Sequence, residues 1–254
     1  MITTPIYTLE SYPPTPSFSP TPRFLAALSS FSQMHSTDPA GASQAYHSTL
    51  EAYTRKLSSL SSDPRIQEGP SEALLLAANC QHVRRWEKPR SEYPEGLSSY
   101  KMWRTALNKF HADIAESVMT SSGYDPSVPE DAELIKRVRE LLLKKTLNKA
   151  PLPRPEELKD PEAHLFEDSI CLVFLALEFV KFAAPYLPSA QSTSPSSSPH
   201  ITPDKLQGII ARTWAKMTPL GRGVVVEELV GGLPEELKGV VLESVSGVKD
   251  AYEQ

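Results

Sequence analysis

The stretch YKMWRTALNKFHADIAESVM, residues 100–119, is the clearest secondary-structure signal in the chain and decides the fold class. Its apolar residues recur every three or four positions, which predicts an amphipathic helix with one buried face. We expect the helical region to end at Gly123. The buried face is predicted to carry Trp103, Leu107, Phe110, His111, Ile114 and Val118.

The same periodicity continues on both sides of this stretch, and no alternating run of β-branched residues interrupts it. The sequence therefore predicts an all-α fold, a single globular helical domain of about eight helices. The other helices are expected near residues 24–34, 43–60, 71–86, 131–147, 162–184, 203–217, 224–230 and 234–252.

Proline is unusually abundant, with 24 Pro against 11 Gly, and it is clustered. Because proline interrupts helices, the clusters indicate tails and connections. We predict a disordered Pro-rich tail at residues 1–21 and a single helical catalytic domain at 22–254. Two flexible connections are expected inside that domain, at 149–161 and at the Ser/Pro-rich loop insert 186–201.

Composition indicates a soluble protein, since 40% of the 254 residues are hydrophobic and 22% are charged. The first residues lack the basic and apolar regions of a signal peptide. The longest apolar run, Ile170–Leu177, is shorter than the roughly 18 residues that a membrane span needs. Cys80 and Cys171 each lie in an apolar segment and are predicted to be reduced and buried. These features predict a cytoplasmic protein without membrane association.

The net charge is −5, which argues against indiscriminate nucleic-acid binding, but basic residues are concentrated in the centre of the chain. Residues 84–109 hold seven Lys or Arg against three Glu, and residues 136–149 hold six against one. A basic centre in an acidic protein predicts that an anionic ligand binds at one place. For the second segment, an ordinary solvated helix face remains the alternative.

Two histidines, His82 and His111, fall on the apolar sides of adjacent predicted helices. A single histidine on such a face is most often a core residue with a satisfied hydrogen bond. Two of them on neighbouring helices, with arginines close in sequence, favour a pocket that uses an imidazole.

Three carboxylates, Glu167, Asp168 and Glu178, lie in the predicted helix 162–184, which is too apolar for a surface helix. A buried carboxylate needs a cation, a metal or hydrogen-bond donors. We hypothesise that Glu167 and Asp168 share one cavity with the two histidines. Structural salt bridges to the arginines of residues 84–104 are the alternative.

A metal site is a second hypothesis. His82, His111 with Asp113, and Asp168 resemble the ligand order of the His-Asp metal phosphohydrolase superfamily, although that superfamily's adjacent His-Asp pair is absent here. The alternative function is thus a metal-dependent His-Asp-type hydrolase or oxygenase acting on a small anionic substrate. A non-catalytic helical binding module is a third possibility. The Walker loop, GxGxxG and GxSxG motifs are all missing from the sequence.

Seven ordered blocks of sequence carry a resemblance to a known family: QHVRRWEKPR, YP, SYKMWR with NKFH, GY, FEDSICLVFL and TWAKM. Over residues 22–230 the chain resembles the domain of unknown function 4202 family. The matching positions are His82, Arg85, Trp86, Pro89, Arg90, Tyr93, Pro94, Tyr100, Trp103, Arg104, Phe110, His111, Gly123, Tyr124, Glu167, Asp168, Thr213, Trp214, Lys216 and Met217.

Fungal proteins that look like this include the arginine-containing cyclodipeptide synthases. The resemblance therefore implies an aminoacyltransferase of secondary metabolism that joins arginine from arginyl-tRNA to a residue from a second aminoacyl-tRNA. The product would be a cyclic diketopiperazine, and the partners would be the two charged tRNAs. An aminoacyl ester is already activated, so no cofactor and no metal are expected. The sequence contains no linear code for the second amino acid.

That chemistry gives the candidate residues their expected roles. A neutral histidine would remove a proton from the attacking amine, and a carboxylate would bind the substrate guanidinium. The catalytic candidates are His82, His111, Glu167 and Asp168. The candidates for binding substrate or tRNA are Arg84, Arg85, Trp86, Arg90, Trp103, Arg104 and Glu178.

Overall fold

The structure, a computed structural model, describes residues 18–66, 69–187 and 203–253. Within these ranges it contains ten α-helices and no β-strand, so the all-α prediction is confirmed. Most of the predicted tail and of the Ser/Pro-rich insert lies outside the described residues. The described chain forms two compact units, the N-terminal unit up to Leu147 and the C-terminal unit from Asn148 onward.

The N-terminal unit is built around its shortest helix. It comprises α1 (Pro22–Ser36), α2 (Ser43–Leu60), α3 (Glu72–Cys80), α4 (Leu97–Ser121) and α5 (Pro129–Leu143). Helix α3 packs against all four of the others. Its side chains from Ala73 to Ala78 are fully or almost fully buried, which explains why its sequence is apolar all round.

Helix α3 begins as predicted but ends early. The Ser71 hydroxyl caps the helix by accepting a hydrogen bond from the Leu74 amide at 3.1 Å. The helix was predicted to run to residue 86, and it ends at Cys80. The chain then turns, and Arg84 adopts a left-handed conformation with φ of 52°. His82 therefore lies in a turn after the helix, and the prediction that it lies on the helix is wrong.

Helix α4 is the amphipathic helix of residues 100–119, extended by a few residues at each end. It follows Gly96, whose φ of 108° is accessible to glycine, and Gly123 lies two residues beyond its end with φ of 103°. Of the six residues predicted on its buried face, Phe110 and Ile114 are half-buried and the other four are buried. Helix α5 stops four residues before the predicted end, because Lys144 takes a left-handed conformation.

The C-terminal unit contains α6 (Pro161–Val173), α7 (Phe179–Ala183), α8 (Pro203–Trp214), α9 (Pro219–Val224) and α10 (Glu235–Val245). Helix α6 is capped by the Asp160 carboxylate, which accepts a hydrogen bond from the Ala163 amide. Helix α8 packs against α10, and α6 packs against α9. A small apolar core joins α7, α8 and α10 through Phe179, Ala183, Leu206, Ile210, Leu237 and Val241.

A π-helical turn at Phe174–Glu178 connects α6 to α7, where one continuous α-helix was predicted. The extra residue in such a turn rotates the following residues by about 100° relative to an α-helix. Glu178 was predicted to lie in a buried helix and is instead exposed. A second π-helical turn, Val225–Leu229, follows α9.

The connection at 149–161 was expected to be flexible but is anchored at two places. Leu152 is buried, and its carbonyl accepts a hydrogen bond from the Ala251 amide at 3.1 Å. At the start of the connection, the Asn148 amide donates to His164 Nε2 at 2.9 Å. Proline rigidity and these contacts give the connection a defined path without regular secondary structure.

One helical segment, Pro161–Tyr186, is long and apolar enough to cross a membrane by length and composition, with a mean hydropathy of 1.6. The core helix of a soluble protein passes the same test, so a single segment of this kind is weak evidence for a membrane span. Both cysteines are buried and free, as predicted. Burial raises the pKa of the Cys80 thiol well above its ordinary value.

Candidate functional site

His82 is held in the turn after α3 by contacts from three directions. Its backbone amide donates to His47 Nε2 at 3.4 Å, which replaces the hydrogen bond that a continuing helix would supply. The ring stacks on the Tyr46 ring with centroids 4.7 Å apart. Arg85 Nη1 lies 3.4 Å from both ring nitrogens. The side chain is therefore fixed between an aromatic ring and a cation.

His111 lies on α4 beside His82, and the two ring centroids are 5.8 Å apart. The side chain is almost completely buried, with 2% exposure. Its Nε2 atom has no hydrogen-bond partner among the described residues. A buried polar atom without a partner is costly, which makes Nε2 of His111 a candidate position for a contact with a ligand or water. The prediction that the two histidines lie together is correct.

Two further histidines, His35 and His47, extend this cluster and were not anticipated. Their rings stack with centroids 3.7 Å apart. His35 Nε2 lies 2.9 Å from the Asn79 carbonyl oxygen, and its Nδ1 lies 3.1 Å from the Ser43 hydroxyl. Because a carbonyl can only accept, His35 carries its proton on Nε2 and accepts from Ser43 on Nδ1.

The tautomer of His47 follows from its two partners in the same way. Its Nε2 accepts from the His82 amide, so its proton is on Nδ1 and is donated to the Ser43 carbonyl at 2.7 Å. Both rings are thus neutral and fixed by main-chain groups. This network orients the amide of the turn that carries His82.

The imidazoles of this cluster are held in the neutral form. Burial lowers the pKa of His47 to about 3, and burial together with the charges of Arg85 and Arg104 lowers the pKa of His111 to about 3. The pKa of His82 is also lowered well below 6.5, first by burial and then by Arg85. Desolvation and neighbouring cations both disfavour an imidazolium ion.

Cationic and aromatic side chains surround the two central histidines. The Arg85 guanidinium lies over the Trp103 ring, 5.4 Å from its centroid, and Lys88 Nζ lies 5.7 Å from the centroid of Phe110. Trp103 donates its indole N–H to the Lys88 carbonyl at 2.8 Å, which fixes the ring. The half-buried Arg104 makes no hydrogen bond or ion pair with any described residue.

Other basic residues that were predicted to bind tRNA have local structural partners. Arg84 forms a two-pronged ion pair with Glu87, at 2.5 and 2.7 Å. Arg90 donates to the carbonyls of Tyr93 and Pro94 and so fixes that loop. Trp86 is half-buried in a short 3-10 turn.

Basic side chains of the second basic segment, residues 136–149, also form ion pairs with acidic side chains. Lys136 pairs with Glu133, and Arg139 pairs with Asp113 and Glu116 of α4. Such exposed ion pairs contribute little to stability, because water and salt screen the charges. Their arrangement fits the alternative given above, an ordinary solvated helix face.

Asp168, in the C-terminal unit, is buried and makes hydrogen bonds that stabilise the fold of that unit. The carboxylate accepts hydrogen bonds from the Thr218 amide at 3.0 Å and the Thr218 hydroxyl at 2.5 Å. Thr218 is the N-cap of α9, so Asp168 fixes the start of that helix. Burial raises the pKa of Asp168 to about 7, although both hydrogen bonds favour ionisation. Thr218 accounts for the burial of this carboxylate, and the alternative that arginines of residues 84–104 pair with Asp168 stays a prediction.

Glu167 is buried beside Asp168, as its apolar surroundings in sequence predicted. Because Asp168 is 1% exposed and doubly hydrogen-bonded, its burial is explained without a ligand. The hypothesis that Glu167 and Asp168 share a cavity with the histidines stays a prediction. Glu178, expected to bind a guanidinium from a buried position, is exposed.

The donor set of the metal hypothesis is not assembled within the N-terminal unit. Asp113 is exposed and pairs with Lys109 and Arg139. In the part of the chain that the structure describes, no group of three or more His, Cys, Asp or Glu side chains is arranged to hold a metal ion. Both ring nitrogens of His35 and of His47 are engaged by protein groups, so the cluster does not offer the three or more ligands that transition-metal sites use.

Comparison with known families gives a match over most of the chain. Residues 25–241 match the family described as domain of unknown function (DUF4202). The chain belongs to this family. No curated protein and no solved structure shows significant similarity to it. Both compact units of this DUF4202 protein fall largely within the matched range, so the histidine cluster and the Asp168 environment are parts of the family's domain.

The buried histidines should make the DUF4202 protein sensitive to acid. Between pH 6.5 and about 3, His47 is protonated in the unfolded chain and neutral in the folded protein. The free energy of unfolding should therefore fall as the pH falls through this range, by about 1.4 kcal/mol per pH unit for each such group. His47→Gln should reduce this dependence, because an amide can accept from His82 and donate to Ser43 without titrating.

The measurement is urea unfolding of both proteins at several pH values from 7 down to 4. The difference between the wild-type and variant curves cancels the carboxylates that titrate in the same range. Parallel curves would show that His47 does not remain neutral in the folded protein.

Proposed function

We propose that this DUF4202 protein is a tRNA-dependent cyclodipeptide synthase. It would join arginine, taken from arginyl-tRNA, to a residue from a second aminoacyl-tRNA in fungal secondary metabolism. The observation that carries the proposal is the free Nε2 of His111, a buried, neutral imidazole beside a second histidine and two arginines. The family resemblance suggests the substrates, and the cluster offers groups suited to the reaction.

The reaction needs a base and no external activation. The amine of one aminoacyl group attacks the ester carbonyl of the other, an amide forms, and the ester C–O bond breaks. The amine proton passes to the oxygen that leaves with the tRNA. The second amine then attacks the remaining ester in the same way and closes the ring. An imidazole suits this task because it can accept the amine proton and return it to the leaving oxygen.

His111 is the better candidate for the base. The ring of His82 contacts Tyr46 and Arg85, whereas Nε2 of His111 has no hydrogen-bond partner among the described residues. His82 would then act by packing against His111 and by holding Arg85 in place. His35 and His47 act through the turn that they fix and are positioning residues.

The surroundings of His111 suit the end of a tRNA. Arg85 and Arg104 carry positive charge beside the histidines, as a polyanion requires. Trp103 and Phe110 are aromatic neighbours of that charge, and aromatic rings stack on unpaired bases. Trp103 itself is 7% exposed, so Phe110, which is half-buried, is the more accessible of the two rings.

The direct test is synthesis from purified components. The protein, arginyl-tRNA and a mixture of the other charged tRNAs should give a cyclic arginine dipeptide without added ATP, detected by mass spectrometry. Isotope-labelled arginine on the tRNA should appear in the product. Digestion of the charged tRNAs with RNase before mixing should abolish the product, and a product that survives digestion would contradict the mechanism.

A further inference from the structure

We propose that the guanidinium groups of Arg85 and Arg104 bind one phosphate group beside the His111 imidazole. The site lies entirely within the N-terminal unit, between the turn after α3 and the middle of α4. Only the source of the phosphate rests on the proposed function, in which it would be a phosphodiester near the 3′ end of the tRNA.

The positive charge of Arg104 is not compensated by any described residue. Arg104 is half-buried and has no hydrogen-bond or ion-pair partner among the described residues. The positions three and four residues away on α4 are Tyr100, Lys101, Leu107 and Asn108, so no acidic side chain is available along the helix. Most exposed cations elsewhere in this unit have a carboxylate partner, as Arg84 and Lys109 do. A half-buried cation without one is placed to meet an anion from outside the chain.

The buried His111 side chain provides an observation that is independent of the Arg104 charge. His111 is 2% exposed, and its Nε2 atom finds no partner among the described residues. A buried nitrogen without a protein partner marks the place where a bound ligand would approach the ring. The charged side chains that act on the His111 ring are Arg85 and Arg104, and both are cations. Arg104 precedes His111 by about two turns on α4, and Arg85 contacts the His82 ring that lies beside His111. The unpartnered nitrogen and the two charges therefore lie in the same neighbourhood.

The number of donors favours a phosphate over a single carboxylate. Two guanidinium groups, each with several N–H donors, can contact more oxygen atoms than the two of a carboxylate, and a phosphate group has four. Arginine is also the side chain whose planar fork best matches phosphate oxygens. Arg85 is held against the His82 ring and the Trp103 ring, so it does not have to be ordered when the ligand binds.

Binding would also change the ionisation of His111. In the free protein, burial and the charges of Arg85 and Arg104 hold the His111 pKa at about 3, so the imidazole is a weak base. A bound phosphate would cancel those charges and raise the pKa towards neutral pH, where a base is most effective. The ligand would thus activate the histidine beside which it binds.

The experiment is isothermal titration calorimetry of the full-length protein with two probes, inorganic phosphate and the dinucleoside phosphate cytidylyl-adenosine. We expect one binding site, and Arg104→Gln should weaken binding by about tenfold or more. Lys109→Gln removes the same charge from an exposed position of α4 and should change the affinity less than about twofold. Tighter binding of the dinucleoside phosphate would identify a nucleotide chain as the source, and tighter binding of inorganic phosphate a small phosphorylated ligand.

Histidine NMR provides a second readout that does not depend on affinity alone. Saturating phosphate should raise the pH at which His111 titrates in the wild type. In Arg104→Gln without phosphate, His111 should titrate at a higher pH than in the wild type, because one cation is lost. Adding phosphate to this variant should shift the titration of His111 much less than in the wild type. Absence of binding, or equal weakening in Arg104→Gln and Lys109→Gln, would overturn the proposal. Phosphate binding without cyclodipeptide synthesis would leave the site established and the proposed function refuted.

Discussion

Replacing Gly221 by alanine should lower the free energy of unfolding of the C-terminal unit by about 3 kcal/mol. A Cβ atom at this position would lie 2.5 Å from Cγ of Asp168 and 2.7 and 2.8 Å from its two carboxylate oxygens. Asp168 cannot move away cheaply, because it is buried and both of its oxygens accept hydrogen bonds from Thr218. A shift would leave a buried carboxyl group without those donors and would loosen the start of α9.

Gly223 provides a matched control, since it lies in the same helix and a Cβ added there meets nothing within 4 Å. Alanine is favoured over glycine in a helix, so Gly223→Ala should raise the free energy of unfolding by roughly 0.5–1 kcal/mol. Urea unfolding followed by circular dichroism would measure both variants. Equal effects of the two substitutions would show that the contact between Gly221 and Asp168 does not determine the packing of α9.

The positions of the helices could be predicted because their signals are local. Helix α2 runs over Ser43–Leu60, the predicted range, and the periodicity of residues 100–119 identified α4. Helix ends were less predictable where a contact distant in sequence decides them. The end of α3 is an example, because the amide of His82 leaves the helix to donate to His47, 35 residues earlier.

Two histidines of the site could be predicted from the sequence, and two could not. His82 and His111 were identified because both fall on the apolar sides of adjacent predicted helices, with arginines close in sequence. His35 continues the buried face of α1, four residues after Phe31, and His47 lies one turn before Leu50 of α2. Those spacings could have placed both on buried faces. Their pairing could not be derived, since it depends on how α1 and α2 pack.

The predicted burial of Glu178 depended on an uninterrupted helix. With α-helical spacing throughout, Glu167 and Glu178 would have shared one face. The π-helical turn at Phe174–Glu178 changes the register, and the apolar composition of the segment gives no indication of it. For Asp168, the deciding partner is Thr218, 50 residues later, and the sequence alone cannot predict such a contact.

His111→Gln should reduce the rate of cyclodipeptide formation by about 10²–10⁴-fold, the usual contribution of a general base. Glutamine has a similar length and can donate a hydrogen bond but cannot accept the amine proton, so binding of the charged tRNAs should be retained. The effect should therefore appear in kcat, whereas Arg104→Gln, which removes a charge that binds the ligand, should act mainly on KM. Unfolding midpoints close to that of the wild type would establish that the variants are folded.

Asp113→Asn separates this mechanism from the metal hypothesis, in which Asp113 was a candidate ligand. The side chain is exposed and its ion pairs with Lys109 and Arg139 are of the kind that contributes about 1 kcal/mol or less. If His111 acts as a base, Asp113→Asn should retain activity within about twofold, because the change lies on the solvent side of α4, two residues from the imidazole. If His111 and Asp113 instead held a metal ion, both variants should lose activity together, since removal of either ligand would empty the site.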